Sequence, residues 1–309
     1  MNKKVLKVLL ISVISLFMLV GCAKGANNTS QISNGTYADP SYIEGVDWLN
    51  ENIGKDNILI LDARGEKEYE KGHIPGAVNV AWQSFANMDG KPGDKGWGVV
   101  LDAQRLSKAL SNIGVDKERT IIVYSDTKNG WGEDGRFVWL MRMAGLENSK
   151  ILNGGFNLWK EKGYEVSKER TNPKASDFTV EELNLDYTAD TDWVKSNIET
   201  AKVLDSRSKE EYNGATKFGE ARGGHLSGAI HMPYTSLLNE DGTLKSQKEL
   251  DSMFSEAGIN KDDEIATYCT AGIRSAHLAI VLRMVGYVKA RNYDESFYTW
   301  AAEKSLDLE

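Results

Sequence analysis

The chain is poor in cysteine and histidine and short of positive charge, and each shortage closes off a class of function. Its 309 residues contain two cysteines, Cys22 and Cys269, and four histidines. Cys22 ends an apolar leader, which leaves Cys269 as the only thiol in the rest of the chain. One thiol cannot form an internal disulfide, nor a zinc site built from several cysteines. His73, His225, His231 and His277 show no metal-ligand spacing, so no metal is expected. Acidic side chains outnumber basic ones 45 to 37, a net charge of −8. Without Lys3, Lys4 and Lys7 the balance is 34 against 45, or −11. An acidic surface argues against nucleic acid and against a broad contact with anionic lipid. Hydrophobic and charged fractions of 41% and 27% are those of an ordinary soluble globular protein.

The first residues read as a targeting segment. Lys3, Lys4 and Lys7 form a basic start, and residues 8–20 are almost wholly apolar. That pattern suits a secretory signal better than a spanning helix. It ends in Leu19-Val20-Gly21-Cys22, which resembles a bacterial lipobox with Cys22 as the lipidated residue. An uncleaved anchor with a chance cysteine is the other reading, and either ties the chain to a membrane. Acyl chains on Cys22 would hold it there, at about 0.8 kcal/mol per buried methylene. The expected location is extracytoplasmic, lipid-anchored to a bacterial cell membrane. Residues 23–35 are small and polar and read as a flexible tether.

The remainder repeats itself once. Ile58-Leu-Ile-Leu-Asp-Ala-Arg-Gly-Glu-Lys-Glu-Tyr69 is echoed by Lys202-Val-Leu-Asp-Ser-Arg-Ser-Lys-Glu-Glu-Tyr212. Gly72-His-Ile-Pro-Gly-Ala77 is echoed by Gly224-His-Leu-Ser-Gly-Ala229, with nine extra residues before the second Gly-His. Each half alternates short apolar or β-branched runs with helix-prone segments, which argues for parallel sheets covered on both faces. The expected fold is α/β: a first domain over residues 36–166, a linker over 167–182 that holds Pro173, and a second domain over 183–309.

The ordered set of Asp-x-Arg, Glu-Tyr, Gly-His-Ile-Pro-Gly-Ala and Leu152-Asn-Gly-Gly-Phe-Asn-Leu-Trp159 resembles the rhodanese family. Tyr293-Asp-Glu-Ser-Phe-Tyr-Thr-Trp300 is similar to the closing motif of two-domain thiosulfate and mercaptopyruvate sulfurtransferases. The resemblance implies two rhodanese-like domains, each a mainly parallel sheet flanked by helices.

Chemistry concentrates in Tyr268-Cys-Thr-Ala-Gly-Ile-Arg-Ser275. A strand is expected to end at Tyr268 and a helix to begin near Ser275. Cys269, Thr270, Ala271, Gly272, Ile273, Arg274 and Ser275 then form the active loop. Its backbone N–H groups make an anion-binding nest, and the helix terminus and Arg274 add positive charge. Together these should stabilise a Cys269 thiolate or a persulfide on the same sulfur. The bland alternative is a buried, inert cysteine. Four residues separate Cys269 from Arg274; related phosphatases of this fold place one more there, so the loop size favours a sulfur atom over a phosphate.

Aligning Tyr124 with Tyr268 puts Ser125 where the nucleophile would stand, and the loop beyond it carries Glu133 and Asp134. The first domain is therefore expected to be non-catalytic. Asp205 and Arg207 are expected to pair and support the loop from behind. His73 and His225 read as fold-keeping, His277 as packed in its helix, and His231 stays unassigned. Trp97 and Trp131 could line an interdomain cleft or anchor surface loops.

The resemblance implies two-step sulfur transfer without a cofactor. Cys269 takes sulfur from thiosulfate or 3-mercaptopyruvate and passes it to a thiol, cyanide or a protein acceptor. Cys-Thr-Ala-Gly-Ile-Arg matches neither the thiosulfate-type nor the mercaptopyruvate-type loop. Glu211 also stands where thiosulfate-type enzymes tend to carry a basic side chain, which leaves Arg274 to supply most of the charge. The alternative is a sulfane-sulfur carrier or sensor docked to a membrane partner.

Overall fold

The computed structural model describes residues 37–309. The leader, Cys22 and the tether lie outside the described residues. Within them, short apolar runs form two five-stranded sheets. The first holds β1 (Ile43–Gly45), β2 (Ile58–Asp62), β3 (Val78–Asn79), β4 (Thr120–Tyr124) and β5 (Ser149–Asn153) in the order β1-β5-β4-β2-β3. The second holds β6 (Thr188–Ala189), β7 (Lys202–Asp205), β8 (Ile230–His231), β9 (Ile265–Tyr268) and β10 (Ala290–Tyr293) in the order β6-β10-β9-β7-β8. The two orders are the same, and every strand pair is parallel. The architecture is α/β, as the alternating pattern implied.

Strand periodicity explains how each sheet divides its side chains. Leu59 and Leu61 of β2, with Ile121 and Val123 of β4, enter one apolar cluster. Ile58, Ile60, Ile122 and Tyr124 enter another on the opposite face. The first of these clusters is shared between the halves. It joins Phe137 and Leu140 of the helix Glu133–Met143 to Leu278 and Leu282 of the helix Ile273–Met284. These two helices are almost wholly buried, which is why neither shows a one-sided apolar stripe in sequence.

They approach closely at Gly135, where an added Cβ would overlap the Cα of His277. The segment expected as a linker, residues 167–182, is mostly exposed and is pinned to the first half at a few points. Phe178 and Val180 are buried, and the Ser176 and Val180 N–H groups donate to Ser111 and Ser107 of the helix Ala103–Asn112.

Candidate active site

Parallel register decides what stands behind Cys269. Asp205 pairs with Tyr268, the last residue of β9. The Tyr268 hydroxyl donates to Asp205 Oδ2 at 2.7 Å, and Arg207 grips the same carboxylate through Nε and Nη2 at 2.6–3.1 Å. Arg207 also donates to Gly224 O and lies 3.8 Å from the Phe297 ring centre. Both members of the pair are fully buried. Asp205 and Arg207 thus support the strand end rather than reach the sulfur.

Beyond Tyr268, residues 269–272 turn the chain into the helix Ile273–Met284. Gly272 has φ +76°, and an added Cβ would stand 2.6 Å from Asp294 O, so the turn requires glycine. This left-handed residue starts the helix two positions before Ser275. Arg274 therefore lies in the first turn rather than in the loop proper.

Cys269 is buried at the base of this turn. Burial opposes its ionisation, but the Arg274 charge, the N–H and hydroxyl of Ser275 and the Ala271 N–H together hold the thiol below its usual range. Ser275 is fixed by its hydroxyl bond to Asn292 at 2.7 Å, while Asn292 Nδ2 donates to Gly272 O. The Cys269 N–H donates to Ser296 Oγ at 2.9 Å. Ser296 has φ +58°, a costly conformation for a residue with a Cβ, and its hydroxyl is what the Cys269 backbone uses.

Arg274 does not face the sulfur with an uncommitted charge. Nη1 and Nη2 bind the two Glu211 oxygens at 2.7 and 2.8 Å, and Nη2 also donates to Thr270 Oγ1 at 2.7 Å. Burial alone would raise the Glu211 carboxyl. The Arg274 hydrogen bonds and charge, the Ser208 N–H and the Thr270 hydroxyl bring it down to about 2. Sequence order placed an acid at Glu211 without showing that it closes a bidentate pair across the site.

The sulfur opens on a cavity of about 280 Å³ whose wall comes from both halves. Trp82, Trp97, Trp131 and Glu133 come from the first; Phe218 and Tyr298, with Cys269 and Arg274, come from the second. Trp97 and Trp131 therefore line the cleft. Trp82, Phe218 and Tyr298 went unnoticed in the sequence. Phe218 belongs to the extra residues before the second Gly-His, and that length difference was the available signal. Its ring packs against Trp131 with centroids 4.9 Å apart. Among the described residues no group of His, Cys, Asp or Glu is arranged to hold a metal.

Residues 45–162 and 190–303 each match the sequence profile of the rhodanese-like domain. The chain belongs to the rhodanese-like family. It is 28% identical to a Saccharopolyspora erythraea protein named "Putative thiosulfate sulfurtransferase", over 85% of this chain and 94% of that one. It is also 28% identical to the sulfur carrier protein TtuD of Thermus thermophilus, over 85% and 95%. Its fold is similar to that of the anaerobic ergothioneine biosynthesis enzyme from Chlorobium limicola bound to trimethyl histidine. That likeness has a TM-score of 0.75 and 22% identity, over 88% of this chain and 71% of that one.

The first rhodanese-like domain keeps the frame and changes the chemistry. Tyr124, Asp62 and Arg64 repeat the Tyr268–Asp205–Arg207 arrangement, with the Tyr124 hydroxyl 2.7 Å from Asp62 Oδ2. Ser125 O accepts from Phe156 N as Cys269 O accepts from Phe297 N. Gly132, at φ +73°, matches Gly272, so the loop there runs through residues 125–132 and is longer. Asp134 then occupies the place of Arg274, which reverses the charge.

This domain nevertheless reaches the second loop. Arg136 donates to Gly272 O at 3.1 Å and forms a buried ion pair with Asp294. His277 bonds Asp134 at 3.1 Å between the two central helices. His73 and His225 stack on Tyr69 and Tyr212 in matching fashion, and His231 Nε2 meets Arg207 O at 3.0 Å.

Proposed function

We propose that this rhodanese-like protein is a sulfurtransferase that carries sulfane sulfur as a persulfide on Cys269. The observation that supports it is the enclosed sulfur itself, ringed by N–H donors and a cation at the base of a cavity. The Cys269 thiolate attacks the outer sulfur of a donor such as thiosulfate. The donor S–S bond breaks, and sulfite leaves with the electron pair. A thiol, cyanide or a protein acceptor then attacks the outer sulfur, and the electron pair of the second S–S bond returns to Cys269. The relatives' names support both thiosulfate and a carrier role.

A second reading, a carrier loaded once and emptied by a docked partner, is favoured by one feature. Glu211 neutralises the cation that a dianionic donor would need. The test is a donor panel with intact-mass detection of a persulfide. Thiosulfate should add one sulfur to the wild type and none to Cys269→Ser; repeated turnover favours the enzyme, and a single loading favours the carrier. No added sulfur from any donor would reject both.

We also propose that Cys22 is lipidated and holds the protein at the extracytoplasmic face of a bacterial membrane. The basic start, the apolar run and Gly21-Cys22 support this. Cys22→Ser should leave an unprocessed precursor, and a wild-type chain without lipid would rule it out.

A further inference from the structure

We infer that Glu133, with the aromatic wall of Trp82, Trp97 and Tyr298, makes the Cys269 cavity select a cationic, ammonium-bearing sulfur substrate over an anionic one of the same size. The inference rests on Cys269 being the nucleophile.

The charges along the wall lead there. Arg274 is the cation lining the cavity, and no lysine lines it among the described residues. Its guanidinium is taken twice by Glu211 and once by Thr270, with the Trp131 ring centre 4.9 Å away. Little positive charge is left for an incoming anion. Glu133 lines the same cavity and has no ion-pair partner among the described residues. One of its oxygens accepts the Trp131 N–H at 2.8 Å.

Burial, with Asp134 and Asp126 nearby, pushes its carboxyl up to about 7 against the pull of the Trp131 and Glu133 N–H groups. Cys269 and Arg274 line the cavity with it, and the Tyr234 phenol, which donates to Gly130 O, lies close enough to feel its charge. A carboxylate so placed repels a second anion and is stabilised by a cation. The aromatic part of the lining suits the same charge. Trp97 meets Tyr298 edge-on at 5.5 Å and Trp82 at 6.4 Å, and electron-rich rings of this kind attract an organic cation, as the Trp82 ring does the Arg136 guanidinium 6.0 Å from its centre.

The probes are two methanethiosulfonates with the same reactive head, one carrying ethylammonium and the other ethylsulfonate. The Cys269 thiolate attacks the sulfenyl sulfur, a mixed disulfide forms, and methanesulfinate leaves with the electron pair. Both reagents react with the same thiolate, so Cys269 ionisation cancels in the ratio of their rates. The wild-type protein is expected to favour the ammonium reagent, increasingly as pH rises through about 7. Glu133→Gln should lower the ratio roughly tenfold, and Glu133→Asp should retain most of it.

The chemistry reads the cavity whether or not the protein transfers sulfur, so the two proposals fail separately. With cysteamine and mercaptoethanesulfonate as sulfur acceptors, Glu133→Gln should shift KM in opposite directions. A ratio unchanged in Glu133→Gln, or a wild-type preference for the sulfonate, would overturn the inference. If Glu133→Gln does not fold, a wild-type protein that shows no preference for the ammonium reagent over pH 6–8, relative to a free thiol treated with the same two reagents, overturns it alone.

Discussion

A thiol out of contact with water should stay protonated, because burial penalises the anion. Cys269 is held the other way, and Arg274 supplies the largest opposing contribution. Arg274→Ala is therefore expected to move the alkylation profile of Cys269 to higher pH. Persulfide formation should slow roughly ten- to a hundredfold, the worth of one charged hydrogen bond of about 1.5–3 kcal/mol. The same change strands a buried Glu211, so about 3–5 kcal/mol of stability should go with it. Arg274→Lys should recover part of both losses. Alkylation rate against pH and urea denaturation read the two effects separately; an unshifted pH profile would remove Arg274 from the thiolate's stabilisation. Glu211 also sets an acid limb. Its folded value lies near 2 and its ordinary value at 4.5, so its contribution is complete above about 4.5 and is lost as pH falls towards 2. Glu211→Gln should flatten that limb and tighten thiosulfate binding, since it frees Arg274; unchanged binding would mean that the pair does not control donor charge. Ser296 gives a backbone test. Ser296→Ala keeps the left-handed strain and strands the Cys269 N–H, whereas Ser296→Gly only strands it. The Ala variant should be less stable than the Gly variant by about 1 kcal/mol.

At the scale of elements, the two strand–loop–helix units show what sequence can and cannot convey. Apolar or β-branched runs identified the three central strands of each sheet but not the short edge strands β1, β3, β6 and β8, and the repeated Asp-x-Arg identified the support for the strand ends. Both are local patterns. The helix after Cys269 begins at Ile273, two residues before the expected Ser275, because Gly272 turns the chain in a conformation that composition alone does not announce. Glu211 and Arg274 are 63 residues apart in sequence, as are Asp205 and Tyr268. Only the parallel register brings each pair together. The first domain's Arg136 was invisible as a site residue for the same reason: its partner Asp294 lies 158 residues away. Ser125→Ala is expected to leave turnover nearly unchanged, since Ser125 serves its own loop. Arg136→Met should cost about 3–5 kcal/mol by stranding buried Asp294, and it should raise the Cys269 alkylation pH by loosening Gly272. Pairing it with Asp294→Asn should restore much of the stability. If Ser125→Ala lowers turnover more than Arg136→Met does, the first domain acts through its own loop and not through this brace.

Across the described residues, the halves look like two domains in sequence and each keeps an apolar cluster of its own, but they share a third between them. Phe137, Leu140, Leu278 and Leu282 belong to a single apolar cluster, and the buried Arg136–Asp294 and Asp134–His277 contacts lie between the halves. Separating them would expose the faces of both central helices to water, at about 25 cal/mol for each Å² of apolar surface, and would leave Asp294 and His277 without partners. Repeat symmetry could not reveal this, because a buried helix and a surface helix are distinguished by what packs on them. Gly135 tests the shared interior directly. A Cβ there meets the His277 backbone, which cannot turn aside as a side-chain tip could. Gly135→Ala should destabilise the chain by about 1–3 kcal/mol, although alanine is the better helix former by about 1 kcal/mol. Because the cluster is shared, the loss should appear in both halves together. Urea unfolding followed through Trp159 fluorescence in one half and Trp300 in the other, each as the remaining tryptophan after the rest are replaced by Phe, should give one midpoint that moves down as a unit. Two separated midpoints, with only one of them moved, would show that each rhodanese-like domain holds its own core.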